Sequence, residues 1–284
     1  MNMKSADPKD AASIFTSRDL AEQWHQGKSH RAEVSGSANA MMMDLANLRA
    51  GSRVLDIAAG TGDQTLLAAR CVGRTGYVLA TDVSASMLEI AAKMVRNVGL
   101  TNVDLRLMDA QKIDLDRDSF DAVICRMGLM LFSDPIKALV GMRNVVKPSG
   151  KVVALVLSSE EKNPFLGIPL GVARRAAKIA SPETGRPGVF ALSSPGALEE
   201  VYRRAGFADI AVHAASLRRR FRSMDDTLYS LRALSPFFLH DFVTNLSDRG
   251  RGMFWQETAR QLRQFEQPNG FEIPGEALIC VGTK

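Results

Sequence analysis

The chain is short of several things that would have assigned it quickly. It has three cysteines in 284 residues, Cys71, Cys125 and Cys280. They are scattered and odd in number, and none shows zinc-ligand spacing, so neither a disulfide framework nor a structural metal site is expected. No run of 18 apolar residues exists, so no transmembrane helix is expected. The N-terminus, Met1 to Asp10, has no apolar stretch of the kind that opens a secretory signal, which makes the cytoplasm the default. Internal repeats and low-complexity segments are missing too. So is any Ser/His/Asp grouping of the kind used in nucleophilic catalysis. What remains is an ordinary globular composition, 46% hydrophobic and 24% charged, on a chain long enough to bury a substantial core. The net charge of +5 permits anionic partners without demanding them. The densest basic run is Arg218-Arg219-Arg220-Phe221-Arg222, readable as a solvated strand end or as an attractor for an anionic partner.

The informative stretch is Arg53-Val-Leu-Asp-Ile-Ala-Ala-Gly-Thr-Gly-Asp-Gln-Thr65. Val54 to Ile57 suits a buried parallel strand, Gly60-Thr61-Gly62 makes a turn, and Asp63 opens a helical pattern. Strand, glycine turn and helix bring a small charged ligand against bare backbone at a helix N-terminus. The ligand need not be a dinucleotide, because Thr65 occupies the third glycine position of G-x-G-x-x-G. Asp82 ends a second strand, Tyr77 to Thr81, where two carboxylate oxygens can meet two ribose hydroxyls.

From residue 53 strands and helices alternate, which predicts an α/β fold. Strands are expected near 53–58, 77–81, 103–107, 120–125 and 150–157, with helices near 63–71, 84–98 and 134–146. Pro148-Ser149-Gly150 reads as a turn. Before the sheet, Thr16 or Ser17 caps a helix reaching Trp24, and a second helix covers about Arg31 to Leu48. Its Met41-Met42-Met43 triplet reads as a packing face. After the fifth strand a helix is expected from Asn163 to about Ala180, then a loop from Ser181 to Gly188. A further helix is capped by Ser194, with Pro195 in its first turn, and ends at Gly206. Phe207–Leu217 reads as strand six. Met224 to about Gln267 reads as helix, broken near Pro236 and Gly250–Gly252, and Glu276–Thr283 as the last strand.

The motif series resembles the class I S-adenosylmethionine (SAM) methyltransferases, and within them the ubiquinone/menaquinone C-methyltransferase-like (methyltransferase type 11) group. Val54 to Asp63 is similar to motif I. Leu79 to Leu88 is similar to motif II and Leu107-Met-Asp-Ala110 to the adenine-contacting motif. Phe120 to Leu129 is similar to strand four with its active-site edge, and Val145 to Val152 to the turn into strand five. Five motifs in order cover roughly residues 50–157. The resemblance implies a doubly wound, seven-stranded, mostly parallel Rossmann-like sheet whose last strand is antiparallel, with helical cap insertions. The implied division is an N-terminal lid (1–50), a SAM-binding core (51–160), a helical insertion (161–193), the rest of the sheet (194–217 and 271–284) and a substrate cap (218–270).

For the cofactor, the resemblance implies close backbone approach at Ala58, Gly60 and Gly62, with Asp56 shaping the pocket near the methionine amino group. Thr65 aligns with a cofactor-contacting threonine, or is a hydroxyl on a helix face. Asp82 takes the ribose. Val83 and Met87 pack on adenine or ribose, or belong to the core. Asp109 accepts from the adenine amino group while the Ala110 amide donates to the ring. Arg126 departs from the quinone enzymes, which carry serine there. It binds a carboxylate of cofactor or substrate, or pairs with a helix acid. No metal is implied. Candidates for a catalytic base are His25, His30 and His240, with Arg126 also near the reaction; His213 reads as structural.

The expected function is methyl transfer from SAM to a small hydrophobic or aromatic acceptor, at carbon or oxygen. The alternatives are a nucleic-acid or protein methyltransferase and a SAM-binding protein that does not methylate. The proline-rich strand-four motif of the amino-methylating enzymes is absent, since Arg126-Met127-Gly128-Leu129 stands there, and so is the Pro-Cys pair of cytosine C5 enzymes. Monomer and homodimer both remain open.

Overall fold

The computed structural model describes residues 17–177 and 187–284. Thr16, the end of the helix expected to reach Ala180, and most of the Ser181–Gly188 loop lie outside them. Eight strands form one sheet: β1 Arg53–Ile57, β2 Tyr77–Asp82, β3 Val103–Leu107, β4 Phe120–Arg126, β5 Val146–Leu157, β6 Ala208–Phe221, β7 Glu266–Gln267 and β8 Gly270–Thr283. Their order is β3-β2-β1-β4-β5-β8-β6, with β7 paired to β8. β1 to β5 are mutually parallel, and β8 runs antiparallel between β5 and β6. This is the expected mostly parallel α/β sheet with its late strands antiparallel, plus a two-residue eighth strand.

Burial explains the middle of the sheet. Ala122 to Cys125 and Val152 to Val156 are buried at every position, so both faces of β4 and β5 are covered. Helices α3 (Asp63–Val72), α4 (Ala85–Asn97) and α5 (Pro135–Val145) make the crossovers. Ser84 and Asp134 cap α4 and α5 through amides three residues on. Ahead of β1 lie α1 (Arg18–Gln26), capped by Ser17, and α2 (Lys28–Leu45). Met42 and Met43 are in the core, the packing role expected of the triplet.

Several boundaries differ from expectation. The Pro148-Ser149-Gly150 turn lies within β5: Val146 pairs with Phe120 and Lys151 with Ala122, so the residues between loop out, with Ser149 at φ 65°. After α6 (Pro164–Ala177) comes α7 (Ala197–Arg204), whose N-cap is Gly196 in the left-handed region rather than Ser194. β6 continues past Leu217 to Phe221, and β8 starts at Gly270 rather than Glu276, because Arg218 to Phe221 pair with Pro274 to Phe271. The long hairpin hides this pairing from a local reading. Between β6 and β7 stand α8 (Met224–Leu234), α9 (His240–Thr244) and α10 (Asp248–Leu262). The break at Pro236 is real. The one expected at Gly250–Gly252 is absent, since α10 runs through both glycines with Phe254, Trp255, Thr258 and Leu262 buried. Tertiary burial outweighs a glycine penalty of about 1 kcal/mol each.

Leu155 is fully buried in β5, whereas Val212 on β6 is 39% exposed. Leu155→Ala is expected to lower unfolding free energy by roughly 2–5 kcal/mol. Val212→Thr is expected to stay within about 0.5 kcal/mol. Urea unfolding of both variants beside the parent chain measures the difference.

Candidate functional site

Strand order reverses between β1 and β4, and ligands of open α/β sheets bind beyond the carboxyl ends of strands at such a point. A cavity of about 340 Å³ opens there, within the range of small-molecule sites. Both strands end in non-glycine residues with left-handed backbone, Ala58 at φ 55° and Met127 at φ 59°. Such conformations cost on the order of 1–3 kcal/mol and persist only where the surroundings enforce them. The two turns approach closely at Gly128, where a Cβ would lie 2.6 Å from the Ala58 Cβ and 3.0 Å from the Cys125 sulfur.

The glycine turn is tied to the second strand. Gly60 N–H donates to Asp82 Oδ2 at 2.8 Å, and Ser84 N–H donates to Asp82 Oδ1 at 2.9 Å. Burial raises the Asp82 pKa against the pull of these amides. Gly62, at φ 86°, is the N-cap of α3 and offers no side-chain cap, so the first-turn amides of α3 are left to a ligand or to water. The Thr61 hydroxyl lines the cavity, buried and without a partner. Asp109 lines it too, and Oδ1 accepts from the Gln111 amide. Val83, 45% exposed, turns an apolar side chain onto the opening.

Ala58, Gly60, Asp82, Val83, Met87, Asp109, Ala110, Arg126 and His30 all line the cavity. Asp56, Gly62 and Thr65 stand behind it. Asp56 is fully buried and Oδ2 accepts from the Thr65 hydroxyl at 2.7 Å, while Oδ1 has no partner. Burial pushes its pKa from the ordinary 3.8 to about 7. His25 and His240 are not among the lining residues. His30 Nε2 is buried without a partner, and burial, with Arg219 nearby, lowers its pKa, so the ring is neutral at pH 7.

Sequence reasoning marked Arg126 but missed its cationic neighbour Arg31. Arg31 on α2 donates to Asp63 Oδ2 at 2.8 Å and lies over the Trp24 ring at 4.3 Å. Arg126 approaches the same carboxylate oxygen at 3.8 Å. Both guanidinium Nε atoms are buried and unpartnered. Trp24 packs edge-on against Phe237, 5.2 Å between centroids, so α1 and the segment after α8 meet over the opening. No sequence signal marked Arg31, because its role depends on α2 folding back over the strand ends. Of the aromatics outside the core strands, Phe165, Phe237 and Phe238 also reach the cavity, whereas Phe242, Phe254 and Trp255 pack edge to face on one another.

Residues 35–168 match the model of the ubiE/COQ5 methyltransferase family. Over that stretch the chain is similar to a methyltransferase family, in line with the resemblance read from the motifs. Within it, the chain is 36% identical over 124 residues to the ubiquinone/menaquinone biosynthesis C-methyltransferase UbiE of Haemophilus ducreyi, covering 43% of this chain and 48% of that protein. It is 38% identical over 146 residues to the UbiE of Burkholderia cenocepacia, covering 51% and 58%. The chain thus spans about half the length of the curated relatives it matches. The fold extends further than the sequence likeness: the YcgJ protein of Bacillus subtilis superposes with a TM-score of 0.58 at 21% identity, over 87% of this chain and 97% of that one.

Asp56 gives the parallel core a pH signature. Between pH 4 and pH 7 the folded chain keeps a proton on Asp56 that the unfolded chain has released. Folding stability therefore falls as pH rises through that window. Asp56→Asn keeps the acceptor for Thr65 and cannot ionise. It is expected to flatten the fall, as read from denaturant unfolding at about pH 4.5 and 7.5; an unchanged slope contradicts the assignment.

Proposed function

We propose that this chain binds SAM and transfers its methyl group to a small apolar acceptor, at carbon or oxygen. One observation carries the reading: motif I, Asp82 and Asp109 converge on a single cavity at the switch point of the sheet, inside the segment that matches the family.

In this reading the open first turn of α3 and the Thr61 hydroxyl hold the polar end of the methionine moiety. Arg31 and Arg126 take its carboxylate with the donors that Asp63 leaves free. Asp82 accepts from the ribose hydroxyls with the lone pairs its two amide bonds do not use. Val83 and Met87 cover the adenine faces, and Asp109 with the Ala110 amide reads its edge. Asp56 and Thr65 support the loop from below rather than touch the ligand.

When bound, the cofactor supplies a methyl carbon that is already electrophilic. The chain's own task is to align the acceptor with it and keep water out, which can contribute roughly 7–11 kcal/mol in favourable cases. Leu157, Phe165, Leu166 and Phe238 make the opposite wall apolar, as a hydrophobic ring requires. The relatives' names refer to ubiquinone and menaquinone biosynthesis, and a quinone-type ring is the acceptor class this wall suits. Among the described residues no helix is long and apolar enough to cross a membrane, so the acceptor is met without a membrane-spanning helix from them.

Calorimetric titration with SAM, and separately with NADH, tests the cofactor: SAM binds and NADH does not. Asp82→Ala is expected to weaken SAM binding tenfold or more, with a thermal melt to verify folding. Near-parental affinity in that variant overturns the ribose contact. Failure of the parent chain to bind SAM overturns the whole reading.

A further inference from the structure

Three guanidinium groups line the cavity, and among the described residues only two of them have an acid. Arg31 and Arg126 share Asp63. The third, Arg219, makes no ion pair with a described residue, and its Nη1 is buried without a hydrogen-bond partner. Its position follows from strand alternation. On β6, Ala215, Leu217 and Phe221 face inward and are buried, and Arg219 occupies the same face between them. Arg218 and Arg220 face the other way, where both pair with Glu272, and Arg222 pairs with Asp226. The basic run is thus paired with acids on its outer side and carries one inward cation.

The surroundings keep that cation in place without neutralising it. The guanidinium lies over the Phe165 ring at 4.9 Å. Gly275 on β8 leaves it room, since a Cβ there would come within 3.0 Å of Nη1. Loss of hydration lowers its pKa to about 10 with no carboxylate to oppose the shift. His30 stands beside it, its ring 4.9 Å from Phe221 and its Nε2 also unpartnered. Cations withdrawn from water are ordinarily paired with an anion. Sheet order also separates this group from the nucleoside side of the cavity: Asp82 and Asp109 follow β2 and β3 at one end, whereas Arg219 is on β6 at the other.

We propose that Arg219, with His30 beside it, is the acceptor-recognition site of the cavity and selects apolar small molecules that carry an anionic oxygen, a carboxylate or an ionised phenol or enol. This rests on the methyltransferase reading for what is done to the bound molecule, but not for the binding itself. Nη1 donates to the anionic oxygen, Phe165 covers the adjoining apolar surface, and the neutral His30 ring supplies a second polar contact.

The test uses the full chain with SAM present, and calorimetric titration with 2-naphthoate, with a nitrophenol at about pH 8, and with the neutral 2-naphthamide. At least one anion is expected to bind tenfold or more tightly than the amide. The arm that does so separates carboxylate from phenolate recognition. Arg219→Gln is expected to abolish that preference and leave SAM affinity within about twofold, and Arg219→Lys to restore part of it. Equal binding of anions and amide by the parent chain overturns the proposal, as does an Arg219→Gln variant that folds but loses SAM and anion together. A parent chain that binds naphthoate through Arg219 but fails to bind SAM supports this site and overturns the methyltransferase reading.

Discussion

The contact between the ends of β1 and β4 is the constraint on which the site depends. Residue 128 has no room for a side chain, because the Ala58 methyl occupies that space. Two turns are thereby pressed together, and each is held in a left-handed backbone that alanine and methionine rarely adopt. Asp82 secures one rim by binding the Gly60 amide, and Met127 N–H secures the other by donating to Leu155 O at 2.7 Å. The family match covers this arrangement from end to end.

Charge is distributed around the cavity by a similar economy. Asp63, at the first position of α3, serves two arginines from different parts of the chain, one on α2 and one ending β4. It ties the N-terminal helices to the parallel sheet. The Arg31–Trp24 stacking and the Trp24–Phe237 edge contact extend that tie to the segment after α8. Elements distant in sequence meet over one opening, and none of them encloses it alone. A ligand at the glycine turn would thus be covered by helices whose positions depend on the charges beneath it.

The parallel core was legible from local pattern. Strand, glycine turn and helix, followed by an acid at the end of the next strand, is a short-range signature. Its spacing is set by the length of one crossover. Asp82, Asp109 and Gly60 line one cavity, whereas Gly62 stands behind it. Arg126 was open between a ligand role and a helix acid, and the fold joins the two: it pairs with Asp63 and lines the cavity. The edge of the sheet was less legible. β6 and β8 pair across more than fifty residues, so neither strand shows its full length locally. Ending β6 at Leu217 left the arginine run looking like a solvated end, when the period of two already assigned Arg219 inward.

The sequence by itself determined the α/β class, the order of the parallel elements and the position of the glycine turn, because each depends on residues only a few turns apart. Only the tertiary structure decided which charges are paired. Whether Arg31, Arg126 or Arg219 meets a carboxylate depends on three elements that converge from opposite ends of the chain. A side chain's partner across such a distance is fixed by packing, and no local pattern records it.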